Sequence, residues 1–136
     1  MCQVKNTSAN IEYIMETLDL LTASASDIQI LLSSGRITSV ELIEICLAQI
    51  ERYDRNGWEL RAMMFISNRE KLMDVARSLD QERAAGKVRG RLHGVPIVLK
   101  DQWQLHPDYG MPTTAGMSAL LEAQNSDSAA LVKKVL

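Results

Sequence analysis

The sequence predicts an α/β fold, with several amphipathic helices around a mixed sheet of two or more strands that is incomplete within this sequence. Three observations lead there. Apolar residues recur at helical spacing in several segments, and polar capping patterns stand at helix starts. Residues 60–67 and 95–99 carry the short apolar runs of strands. In the second run Ile97, Val98 and Leu99 follow one another without polar alternation, as in strands buried on both faces. Two strands do not make an independently stable sheet. The remaining strands are therefore expected elsewhere, most simply downstream.

The elements follow in chain order. In "ANIEYIMETLDLL", Ile11, Ile14, Met15 and Leu18 share one helical face. Ser26, three residues before Gln29, reads as a capping box for a short helix that Gly35 closes. Thr38 with Glu41 is a second capping box, and Ile37 is placed to staple Leu42. The helix they open carries Ile43, Cys46, Leu47 and Ile50 on one face and ends at Asn56-Gly57. "LRAMMFIS" is the first strand. Ser67 with Glu70 is a third capping box, for a helix lined by Leu72, Val75, Ala76 and Leu79 and stopped at Gly86. After a polar linker comes the second strand, in which Pro96 suits the start or an edge. Residues 101–118, with Pro107, Gly110, Pro112 and Gly116, read as a long loop of the kind that is often functional. Ser126 or Asp127 caps a last short helix with Ala130, Leu131 and Val135 on one side. That helix carries no stop signal, so the chain is expected to be a segment of something larger.

Composition narrows the function. With 136 residues, 46 % of them apolar, the chain suits one modest domain or a piece of a larger one. A net charge of −2 leaves no footprint for nucleic acid or an anionic membrane surface. Cys2 and Cys46 make neither a disulfide framework nor a metal spacing. No apolar run is long enough for a transmembrane helix, and the N-terminus has no signal-peptide pattern, so a cytoplasmic location is expected.

One stretch raises a chemical question. "RLHGVPIVLKDQW" sets Lys100 and Asp101 at the exit of an apolar strand. In open α/β sheets that edge is where ligands bind. A lysine desolvated there loses preference for its charged form and can serve as a general base. Equally, Lys100 can mark a strand end and pair with Asp101 or solvent.

"LHGVPIVLKD", then "MPTTAG", then "DSAALVKKVL" resembles the amidase signature family of serine hydrolases. "SGRITSVELIEICLAQIERYD" and "SLDQERAAGKVRGRLHGVPIVLKD" look like the family's earlier segments, in the same order. The similarity runs from about Ser24, which divides the chain into an N-terminal helical segment, 1–23, and an N-terminal part of an amidase-like domain, 24–136. The resemblance implies amide-bond hydrolysis by a nucleophilic serine, a second serine in a cis peptide, and a lysine that matches Lys100. It places Asp101, Thr113, Thr114 and Gly116 near the active centre, implies no metal or organic cofactor, and implies a small-molecule amide as substrate. The family's two serines belong to a later Gly/Ser-rich motif that this sequence does not contain. Ser118, Ser126 and Ser128 read as loop or helix-start residues, so the isolated chain is expected to be inactive.

There are two local departures from the family pattern: Gln102-Trp103 after "KD", and Met117 where a serine commonly follows "TTAG". Trp103 and Tyr109 line a substrate pocket or cover the core. His93 and His106 lack companions for a metal site, and His93 fits a hydrogen bond within its own turn. Asp101 ties down loop backbone or orients Lys100, with the first favoured. A second expectation is a non-catalytic amidase relative that acts by binding, in association with an amidase homologue.

Overall fold

The computed structural model describes residues 18–135. Four α-helices order them: α1 (Ala25–Ser33), α2 (Ser39–Gln49), α3 (Arg69–Ala84) and α4 (Ala130–Val135). Helix α2 runs directly into a π-helical turn, Ile50–Arg55, and 3-10 turns form at Pro107–Tyr109 and Ser118–Leu120.

Each main helix starts at a side chain that satisfies backbone N–H groups left free by helix geometry. At α2 the expected capping box is present: the Thr38 hydroxyl accepts from the Glu41 amide at 3.1 Å, and Glu41 accepts from the Thr38 amide at 2.9 Å. At α1 the box forms two residues earlier than expected. Ser24 and Asp27 cap each other's backbone, not Ser26 and Gln29. An aspartate reaches back as a glutamine would, and Gln29 is engaged elsewhere. At α3 the cap is Asn68, accepting from the Glu70 amide at 2.7 Å, while the Ser67 hydroxyl donates to the Tyr109 carbonyl at 2.6 Å. Neither Ser126 nor Asp127 adjoins α4. Asp127 instead accepts from the Ser128 amide and pairs with Lys133.

Burial follows a face slightly rotated from the expected one. On α2, Leu42 and Ile45 are the fully buried apolar residues, and Ile43, Cys46, Leu47 and Ile50 flank them. Leu42 and Ile45 join Leu18, Ile28, Leu32 and Ile37 in one aliphatic cluster, with Cys46 and Val95 against it. Ile37 and Leu42 thus sit together as the staple requires. Burying a side chain such as Leu32 or Leu42 contributes about 1.5–3 kcal/mol. On α3, Met73 and Ala76 are buried, whereas Val75 is 55 % exposed. On α4 the buried residue is Val132, not Leu131. Ile11, Ile14 and Met15 lie outside the described residues.

A cross-helix contact ties the start of α2 to α3. The Asp80 carboxylate, on α3, accepts from the Ser39 and Val40 amides in the first turn of α2 at 2.7 and 3.2 Å. An anion at that end also complements the helix dipole. Arg69 and Glu44 form an ion pair between the same two helices.

The two expected strands are absent among the described residues. A strand is defined by its ladder, and neither segment forms one there. Residues 62–66, with a bend at Met64, and 95–100 form neither helix nor strand. The mixed sheet is thus not formed within residues 18–135. The expectation of burial on both faces fails for the same reason: Val98 is 75 % exposed and Lys100 is exposed.

Candidate functional site

The approach to Lys100 is fixed by a turn at residues 89–94. His93 is 5 % exposed and is held from every side. Its Nδ1 accepts from the Arg89 amide at 3.3 Å, which leaves Nε2 to donate to the Leu79 carbonyl at 2.9 Å. Its own carbonyl accepts from Arg83 at 2.7 Å and Gln29 at 2.8 Å. The turn is thereby lashed to α1 and α3 together. Arg89 also pairs with Glu82 at 2.5 Å, an arrangement that holds the Glu82 carboxyl below its ordinary range.

Gly94 follows with φ +81°, and a Cβ there would lie 2.4 Å from the Ser39 hydroxyl and 3.6 Å from Leu32 Cδ1. Only glycine allows that backbone to press against the start of α2. The chain then runs out through Val95, anchored in the core, to Lys100.

Asp101 does not pair with Lys100 in a salt bridge. Its carboxylate accepts from the Thr114 hydroxyl at 2.6 Å, the Thr114 amide at 2.9 Å and the Gly116 amide at 3.1 Å. Its carbonyl accepts from the Ala115 amide at 3.2 Å. The Thr114 hydroxyl leads the causes that depress the Asp101 carboxyl below the usual carboxylate range, followed by the Thr114 amide; the Gly116 amide and the Lys100 charge add less. Thr114, 2 % exposed, is the buried end of the clamp. Ala115 and Gly116 both have positive φ, and the Met117 amide closes the turn on the Thr114 carbonyl at 2.9 Å. The Met117 side chain is exposed.

The loop between the motifs is ordered by further ties. The Thr113 hydroxyl donates to the Trp103 carbonyl and accepts from the Leu105 amide, both at 3.2 Å. The Ser128 hydroxyl accepts from the His106 amide at 2.8 Å, and Lys71 donates to the Asp108 carbonyl at 3.1 Å. His106 faces Asp108 at 3.2 Å on an exposed turn.

Lys100, Asp101, Trp103 and Tyr109 all line a cavity of about 470 Å³, with residues 62–65 and α3 on its other walls. Of the residues singled out in sequence, Lys100 and Asp101 reach this cavity; Thr113, Thr114 and Gly116 join them through the Asp101 and Trp103 bonds. Gln29 reads in the sequence only as a capping-box partner of Ser26, and Ser39, Asp80 and Arg83, which also position the segment, give no sequence signal beyond helix membership. Among the described residues no three His, Cys, Asp or Glu side chains converge as a metal site, and no helix is long and apolar enough to cross a membrane.

A family model described as Amidase matches residues 41–136. The chain belongs to the amidase family. A glutamyl-tRNA(Gln) amidotransferase polypeptide from Renibacterium salmoninarum is 38 % identical over 118 residues, covering 86 % of this chain and 21 % of the relative. Among solved structures, the native peptide amidase from Stenotrophomonas maltophilia superposes with a TM-score of 0.74 at 34 % identity, over 84 % of this chain and 22 % of that one. An amidase family protein from Bacillus anthracis str. Ames gives 0.81 at 30 % identity, over 98 % of this chain and 25 % of that one. The α/β class therefore rests on the amidase fold shared with these structures. The chain spans about a fifth to a quarter of the length of these relatives.

Proposed function

We propose that this chain supplies the general base of a carbon–nitrogen hydrolase, with Lys100 as that base and a carboxamide as substrate. The observation that carries the reading is the Asp101 clamp. The carboxylate next to Lys100 is spent on Thr114 and Gly116, which leaves the amine at the cavity wall without an ion pair to Asp101. It stands on the wall of a cavity large enough for a small amide.

In the reaction, a neutral Lys100 takes the proton of a relay serine, which takes that of the nucleophilic serine. The nucleophile's oxygen bonds to the amide carbon as the carbonyl electrons move to oxygen. Backbone N–H groups stabilise that oxyanion. Collapse breaks the carbon–nitrogen bond, and the proton returns through the relay to the leaving amine. Water then releases the acid from the acyl-enzyme by the same base. Neither serine is in this sequence, so the 136-residue chain alone has no turnover.

The test is a chimera in which this sequence replaces the matching stretch of the Stenotrophomonas peptide amidase. Hydrolysis of a peptide amide by the chimera, and none by the isolated chain, is the expected result. Turnover by the isolated chain would overturn the assignment of the serines to another part of the fold.

A further inference from the structure

A second carboxylate does for one wall of the cavity what Asp101 does for the loop beyond Lys100. Asp54 is 4 % exposed and does not itself line the cavity. Its Oδ1 accepts from the Ala62 and Met63 amides at 2.5 and 3.3 Å, and its carbonyl accepts from the Arg61 amide at 3.1 Å. The Leu60 amide donates to the Tyr53 carbonyl at 3.1 Å, and Arg55 donates to the Met63 carbonyl at 2.6 Å. Residues 60–63 are thus fastened one after another to residues 53–55.

Both partners of this fastening have unusual backbones. Ile50–Arg55 is wound as a π-helical turn, and the Asn56 amide reaches back five residues to the Glu51 carbonyl at 3.1 Å. Such turns are rare and are found frequently at functional sites. Glu59 and Arg61 hold φ of +47° and +48° without being glycine. Backbone of that kind persists only where its surroundings over-determine it. What the Asp54 bonds determine is the course of the residues after Arg61. Ala62, Met63, Met64 and Phe65 all line the cavity of about 470 Å³ that Lys100 also lines. Their side chains make this wall apolar, and flexible thioethers adapt to the shape of what they touch.

We infer that Asp54 is a positioning residue for substrate binding. By holding the Ala62 and Met63 amides it sets the wall against which the apolar part of the carboxamide rests. The inference rests on the reading of this cavity as the amide site.

The experiment has two arms. In the 136-residue chain, Asp54→Ala should speed amide exchange at residues 61–63 by about tenfold, since the buried acceptor is gone. Ser24→Ala, which removes the cap of α1, should not. In the chimera with the Stenotrophomonas peptide amidase body, two peptide amides are compared, one ending in phenylalaninamide and one in glycinamide. Asp54→Ala should raise KM for the first by about tenfold, with kcat and the KM for the second within about twofold. Asp54→Asn keeps an oxygen that accepts from both amides and should restore most of the KM. Arg55→Ala, at a side chain 37 % exposed, removes only the Met63 carbonyl tie and should shift KM in the same direction by less, which keeps the test open if Asp54→Ala does not fold. Unchanged exchange at residues 61–63, equal KM changes for the two amides, or a KM rise matched by Ser24→Ala would each overturn the inference while leaving the amide site standing. A folded chimera that hydrolyses neither amide with Asp54 intact would overturn the amide-site reading, and the inference with it.

Discussion

The Thr114 hydroxyl and amide both donate to the Asp101 carboxylate, at 2.6 and 2.9 Å, across thirteen residues of loop. This pairing joins the "KD" and "TTAG" motifs into one unit and keeps the carboxylate off Lys100. Thr114→Val, which keeps the shape and removes the buried hydroxyl, should lower stability by about 1 kcal/mol. Asp101→Asn should lower it too. The double variant should lose less than the sum, because both remove the same bond. Urea denaturation of the four proteins checks this.

The same clamp predicts a pH dependence. The Asp101 carboxyl is depressed in the folded chain, chiefly by the Thr114 hydroxyl. Its contribution is therefore complete above the unfolded-state value of about 3.9 and is lost as pH falls from there through the folded value. Asp27, Glu82 and Asp127 are depressed as well and act in the same direction. Thermal midpoints measured between pH 7 and pH 3 should fall on the acid side, and fall less steeply in Asp101→Asn.

Gly94→Ala should be among the more damaging single substitutions outside the core. It forces a side chain into positive φ and against the Ser39 hydroxyl. The expected loss is about 1–3 kcal/mol. Adding Ser39→Gly removes the collision but not the backbone strain, so it should recover part of the loss. Full recovery would mean that the close approach, not the dihedral angle, selects glycine.

Asp80→Ala should destabilise by about 1–2 kcal/mol, the range of a lost helix cap. The Ser39 and Val40 amides lose their acceptor, and α2 loses its tie to α3. Thr38→Ala, acting on the same helix start, should cost about 1 kcal/mol. The two effects should not add fully. Hydrogen exchange at residues 39–41 reads both.

Local signals in the sequence are sufficient for some features. Thr38 and Glu41 fall within one helical turn, and their box forms as the pattern requires. Gly35 and Gly86 adopt the positive φ expected of helix ends. The caps at α1 and α3 are displaced because several polar residues compete at each start. Ser24 wins over Ser26 by pairing with Asp27, and Asn68 frees Ser67 to hold Tyr109. The strands differ from expectation for another reason: an apolar run specifies what a segment prefers to bury against, not whether the partner is present. Lys100 and Asp101 are legible as a pair through the family motif. The contacts that aim them are not. Gln29 and Arg83 meeting at the His93 carbonyl, or Asp80 reaching Ser39, depend on residues brought together only by folding.

The most direct test is Lys100→Ala in the chimera of this sequence with the peptide amidase body, assayed on a peptide amide. Loss of a general base predicts a fall in kcat of about 10²–10⁴-fold with the thermal midpoint unchanged. A variant that keeps hydrolysing within a few-fold of the unsubstituted chimera would show that Lys100 is a surface lysine at the end of an apolar segment, not the base.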